Sequence, residues 1–309
     1  QVEEERSPIW FFTARDSDGD VAQNNFTVNV IDDSPTITFA NIQKGAVDED
    51  ALAHGNAGDT YPETSVPLEL SGVLPVLPGN KLGTAGDIDA TDTAHGSLGV
   101  NWGADSANDN NGQPGDRSVQ FVNVADPAGL TSRGEAVHYM VTTSGGQQTL
   151  VAYTGLSGAP HVVFTVGLSD ASAHGTYTFT LKDVLDQHGA GEDTLNLSFQ
   201  FTATDSDGDT TGIGTFTVGV IDDTPIAVGT IAPRYVEEEA LSGGNEDAQP
   251  LGVEIAGAIA NGGPITDHIG ASLNIAWGGD DSNNLGNVGF NGTQADGDRS
   301  VGFGGTNGA

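Results

Sequence analysis

Cysteine is absent from the 309 residues, and positive charge nearly so: nine Lys and Arg stand against 43 Asp and Glu, a formal net charge of -34. Without cysteine there is neither a disulfide nor a thiolate metal site. The shortage of cations excludes nucleic acid and anionic membranes as natural partners, because both are held by Lys and Arg. Long apolar runs are missing as well. The longest are strand-sized, far short of the roughly 20 residues that a spanning helix needs, and no basic-then-apolar signal segment stands at residue 1. Apolar residues at helical spacing are also lacking over any long stretch, which excludes a helical architecture.

Alternation takes the place of helical spacing. In "HVVFTVGL" (161–168), "TYTFTL" (176–181), "TLNLSFQFTAT" (194–204) and "GTFTVGVI" (214–221), large or β-branched residues recur at every second position, as half-buried strands require. The 45 Gly and 13 Pro supply turns at short intervals, so the sequence predicts an all-β fold rather than an acidic disordered chain. A chain this acidic repels itself unless counter-ions neutralise it, and divalent cations do so economically.

The sequence also repeats itself. "FTARDSDGDVAQNNFTVNVIDDSP" (12–35) returns as "FTATDSDGDTTGIGTFTVGVIDDTP" (201–225), "VDEDAL" (47–52) as "VEEEAL" (236–241), and "SLGVNWGADS" (97–106) as "SLNIAWGGDD" (272–281). The blocks keep their order, which marks a tandem array. Residues 1–33 read as the end of one unit, 34–223 as a complete unit, and 224–309 as the opening part of a third. "VEEE" at 2–5 falls out of phase with that order, and the sequence offers no physical reason for it.

The order of these motifs resembles the tandem repeats of giant type I-secreted bacterial adhesins, the biofilm-associated, repeats-in-toxin group. The resemblance covers the complete unit and both partial ones. It implies Ig-like or cadherin-like β-sandwich modules in series, the two terminal ones incomplete, with calcium at the junctions. It further implies an extracellular or cell-surface location, a role as a stiff extender in adhesion and biofilm formation, and no enzymatic activity. The partners implied are the neighbouring repeats of the same chain; lateral self-association and the external ligand stay open.

The residues support calcium in their own right. In "DSDGD", Asp205, Asp207 and Asp209 lie two apart with Gly208 at the bend, and Asp16, Asp18 and Asp20 repeat the pattern. The loop is not an EF-hand, since Phe216 and Thr27 stand where that motif needs a bidentate Glu. A plain hairpin turn is the competing reading. The second acidic group is "VIDD", Asp32 with Asp33 and Asp222 with Asp223, each closed by a proline that ends the strand. Antiparallel pairing of the last two strands puts "DSDGD" at the pole opposite to the "VIDD" that follows it. Asp205, Asp207 and Asp209 are therefore expected to face Asp32 and Asp33. Asp16, Asp18 and Asp20 then serve a junction upstream, while Asp222 and Asp223 need an acidic loop beyond residue 309. Glu49 and Glu238, in acid runs soon after module entry, are further candidate ligands.

Other groups have plainer readings. Asp105, Asp109 and Asp116 lie in a Gly/Asn-rich stretch that is more often only a loop. Trp102 and Trp277 read as core, Arg117 and Arg299 as bridges to local carboxylates, and the seven His lack zinc spacing. Two rival functions remain. A glycoside hydrolase would need one catalytic carboxylate pair, which has no reason to recur per repeat. A carbohydrate- or ligand-binding module is harder to separate, because binding loops on β-sandwiches are common.

Overall fold

The computed structural model of the chain describes residues 5–53, 55–56, 92–108, 115–155, 160–187, 193–231, 242, 272–278 and 301. Its strands are β1 (Glu5–Arg6), β2 (Ile9–Arg15), β3 (Val21–Thr27), β4 (Val30–Ile31), β5 (Thr36–Ile42), β6 (Gly45–Asp48), β7 (Thr93–Asn101), β8 (Ser118–Phe121), β9 (Thr131–Ser132), β10 (Glu135–Ala136), β11 (His138–Ser144), β12 (Gln147–Thr154), β13 (His161–Ser169), β14 (Thr176–Leu181), β15 (Thr194–Thr204), β16 (Gly214–Ile221), β17 (Ile226–Ala227) and β18 (Ile275–Ala276). Glu49–Ala51 adds one 3-10 turn, and the described residues contain no α-helix. Among the described residues, no helix is long and apolar enough to cross a membrane.

The chain forms two compact units, residues 1–224 with 278–309, and residues 225–277. In the first, a six-stranded sheet (β11-β12-β13-β14-β7-β5) and a four-stranded sheet (β6-β16-β15-β8) share one core. The alternating sequences explain this arrangement. In β15, Leu197, Phe199, Phe201 and Ala203 point inward, while Asn196, Ser198 and Gln200 stay exposed. Aromatic contacts join the sheets: Tyr177 of β14 stacks on Phe216 of β16 at 4.2 Å, and Phe164 of β13 meets Phe199 of β15 edge-on at 6.2 Å. Among the described residues all ladders are antiparallel except β6 with β16, where Val47 lies opposite Val220 and Asp48 opposite Ile221.

The sequence repeat reappears as a repeat of strand register. In the hairpin β2–β3, Trp10 faces Phe26 and Phe12 faces Asn24; at the matching positions of β15–β16, Phe199 faces Phe216 and Phe201 faces Gly214. The second unit contains β17 and β18, paired Ile226 to Ala276 and Ala227 to Ile275. The equivalent residues of β5 and β7 pair in the same way, Thr36 to Asn101 and Ile37 to Val100.

Candidate metal centre

The "DSDGD" loop between β15 and β16 is organised by its first aspartate. Asp205 Oδ1 accepts the backbone N–H of Gly208 (3.1 Å) and of Asp209 (2.8 Å), and the Asp205 N–H closes the loop on the Asp209 carbonyl (2.9 Å). Gly208 sits at φ +114°, a conformation side chains rarely adopt, which is why glycine stands there. Asp205 is only 1% exposed, and its second oxygen, Oδ2, is buried without a hydrogen-bond partner.

Two other segments converge on this loop. The chain entering at 32–35 brings Ser34, whose Oγ donates to Asp209 Oδ2 (2.8 Å), and Asp32. Beyond β7, Ala104 donates its N–H to Asp33 Oδ2 (2.8 Å), and Gly103, at φ +74°, lies so close to that carboxylate that a Cβ would collide with it. Ser206 fixes the loop from the other side, its N–H and Oγ both donating to the Asp105 carbonyl at 3.0 Å. Carboxylate oxygens of Asp32, Asp105 and Asp207 consequently lie within 4.8 Å of one another.

Burial and crowding raise the carboxyls of Asp205 and Asp32. Burial first, then the carboxyl of Asp207, pushes Asp205 up to about 6. Asp32 is raised by partial loss of water and then by the charges of Asp207, Asp105 and Asp209. The loop alone does not cause this. The first copy makes the same bonds, Gly19 N–H (3.1 Å) and Asp20 N–H (2.8 Å) to Asp16 Oδ1, and also gathers Asp16, Asp18 and Asp20 within 4.8 Å. Yet Asp16 is exposed and its carboxyl is lowered, chiefly by the Asp18 side chain and then by the N–H groups of the turn.

The residues fit a hard divalent cation. With metal–oxygen distances of about 2.3–2.6 Å, two ligands on opposite sides of one calcium ion lie close to 5 Å apart, and the three carboxylate oxygens meet that limit. The donor set is all oxygen, which suits calcium rather than zinc, and the orphaned Asp205 Oδ2 adds a buried acceptor next to Asp207.

The remaining candidates lie elsewhere. Parallel pairing with β16 carries Asp48, Glu49 and Asp50 to the end of that strand, so Glu49 lies at the pole of Asp222 and Asp223, a strand's length from Asp32. There Glu49 Oε1 accepts the Leu185 N–H (2.7 Å), Asp48 Oδ1 the Asp50 N–H (2.9 Å), and Asp223 Oδ2 the Asn56 N–H (3.2 Å). Asp222 donates its N–H to the Asp193 carbonyl (3.0 Å). Gly278, at φ +77°, crowds the Asp223 carboxylate as Gly103 crowds Asp33. Asp223 thus meets Asn56 and Gly278, contacts that leave the expected acidic loop beyond residue 309 untouched. Glu238, Asp109 and Arg299 lie outside the described residues.

Asp105 is the member that sequence reasoning misplaced, by grouping it with Asp109 and Asp116. A usable signal was present: an acid follows the tryptophan by three positions in both copies, Trp102 with Asp105 and Trp277 with Asp280. Trp102 itself is buried, with the Arg117 guanidinium 4.8 Å above its ring. Arg117 gives its N–H groups to the carbonyls of Ser106, Asp170, Ala171 and Ser172 rather than to the carboxylates expected. It thereby anchors the segment that presents Asp105. No family model matches the chain, and neither does any curated protein or solved structure.

Proposed function

We propose that the chain is a calcium-stabilised extender: a series of Ig-like or cadherin-like modules, with the boundaries near residues 33 and 223, from an extracellular bacterial adhesin, with no catalytic role. The supporting observation is the convergence of Asp32, from the entry segment, with Asp105 and Asp207, from two loops of the module that follows it. An ion shared by these three groups ties the linker to the module. Without it, like charges at that spacing push the linker away. Such a device governs stiffness, and stiffness is what an extender supplies to a distant binding tip.

The test is calcium titration by calorimetry on the full chain and its variants. Asp32→Ala and Asp207→Ala should each weaken one and the same site by at least ten-fold, and the double variant should lose little more than either single one, because groups on one ion are not additive. Asp105→Ala should belong to the same set, and Asp222→Ala should act independently. Additive losses for Asp32 and Asp207 would remove the shared ion from the account. Small-angle scattering supplies the mechanical half: the maximum dimension should grow with calcium and shrink with chelator, and an unchanged value would count against the extender.

A further inference from the structure

The six-stranded sheet ends on β11, and the described residues pair with that strand on one side only. Its register with β12 is unbroken, from His138 opposite Tyr153 to Ser144 opposite Gln147. The Tyr139 N–H points away from β12 and donates to Asp126 Oδ1 (2.8 Å). By the alternation of an antiparallel ladder, the N–H and C=O groups of Val141 and Thr143 face the same open side. Met140 is 44% exposed, and Thr142, Thr143 and Ser144 are exposed as well. Natural edges are guarded by Lys, Pro, bulges or inward charges. β11 has none of these, and Asp126 covers only its first rung.

Charge supplies the second observation. From Ala136 to Ser169 the chain contains no Asp, Glu, Lys or Arg, although its net charge is -34. The outward positions of the neighbouring strands stay neutral: Val151 and Thr149 on β12, Thr165 on β13, Thr178 and Thr180 on β14. A cationic partner would choose the carboxylate-rich surfaces instead. A neutral window in an acidic molecule suits a partner that is just as acidic, since the two can approach there without close carboxylate repulsion.

We propose that this partner is a second copy of the chain, joined edge to edge through β11 about a two-fold axis at Thr142. Val141 of each copy lies opposite Thr143 of the other, and these residues exchange N–H···O=C bonds, so that the two six-stranded sheets become one. An isologous contact of this kind closes on itself. It is also small, so the dimer is weak and reversible rather than permanent. The proposal goes beyond the extender reading and does not depend on its cation.

Sedimentation velocity on the full chain over a wide concentration range, in calcium at physiological ionic strength, tests it. The expected result is a concentration-dependent dimer. Thr143→Pro removes an outward N–H while sparing the β11–β12 ladder, and Thr142→Asp places two like charges at the axis. Each should weaken the dimer by ten-fold or more with the unfolding midpoint nearly unchanged. A chain that stays monomeric at every concentration overturns the proposal, as does a dimer that resists both substitutions. Loss of the dimer in Trp10→Ser would assign the contact to the exposed hairpin β2–β3 and overturn it too. So would a dimer that disappears in chelator while the monomer stays folded, since the carboxylates would then be the contact.

Discussion

Asp16 and Asp205 make the same turn with the same hydrogen bonds, yet their carboxyls shift in opposite directions. The shared hydrogen bonds of the turn therefore do not set the direction; burial first, and then the Asp207 carboxyl, raise Asp205. A carboxyl held at about 6 in the folded chain, against about 3.9 when unfolded, binds its proton more tightly in the native state. It contributes stability below about pH 4 and loses that contribution as pH rises through about 6. In chelator, the unfolding midpoint of the native chain relative to Asp205→Asn should accordingly fall between pH 4 and pH 6.5. Calcium should abolish that fall, because the ion takes the place of the proton. Thermal melts of both proteins across this range check it, and parallel curves in chelator would show that Asp205 does not titrate there. Asp183 works in the other sense. Burial raises it, but the Arg133 and His161 hydrogen bonds outweigh that and pull it down, so its contribution is lost only as pH falls below the usual carboxylate range. The comparison with Asp205→Asn cancels that background.

At the scale of elements, the two copies of the closing hairpin share sequence and register but not surroundings. Phe201 and Phe216 are buried at 0% and 1% exposure, while Phe12 and Phe26, their equivalents, are 49% and 52% exposed. The same residue type in the same strand should therefore contribute very differently. Phe201→Ala or Phe216→Ala should cost about 3–5 kcal/mol through lost burial and a cavity between the sheets, whereas Phe12→Ala or Phe26→Ala should stay within about 0.5 kcal/mol. Chemical denaturation of the four variants decides this, and equal losses would mean that the N-terminal hairpin is covered in solution.

The hairpins also show what the sequence could reveal. Strands β13, β14, β15 and β16 were legible to within a residue, because a period of two is written locally in side-chain type. The encounter of Asp207 with Asp32 was legible too, since it follows from antiparallel direction alone. The pole at which Glu49 lies was not. It depends on β6 running parallel to β16, a pairing between segments far apart in the chain that no local pattern encodes. Asp105 was half legible: its spacing from the tryptophan recurs in both copies, but its loop is positioned by Arg117 gripping carbonyls at 170–172, and carbonyls carry no sequence signal.

For the whole molecule the governing quantity is the net charge of -34. Mobile ions of any kind screen it, and screening weakens repulsion without regard to site. A specific ion does more, because it binds the folded state alone and stabilises it by mass action, about 2.7 kcal/mol at a hundred times its dissociation constant. The two effects separate by choice of cation. Calcium tolerates irregular oxygen sets of the kind Asp32, Asp105 and Asp207 offer, whereas magnesium demands a strict octahedron and gives up its water reluctantly. At equal ionic strength the unfolding temperature should therefore rise more in calcium than in magnesium, and more in magnesium than in sodium. Asp32→Ala should erase most of the difference between the divalent ions while leaving the sodium effect in place, since one charge in so many barely alters screening. Calorimetric melts in the three salts, with and without the substitution, measure this. Equal stabilisation by magnesium and calcium, or a calcium advantage that survives Asp32→Ala, would transfer the effect from this cluster to the general acidity of the chain.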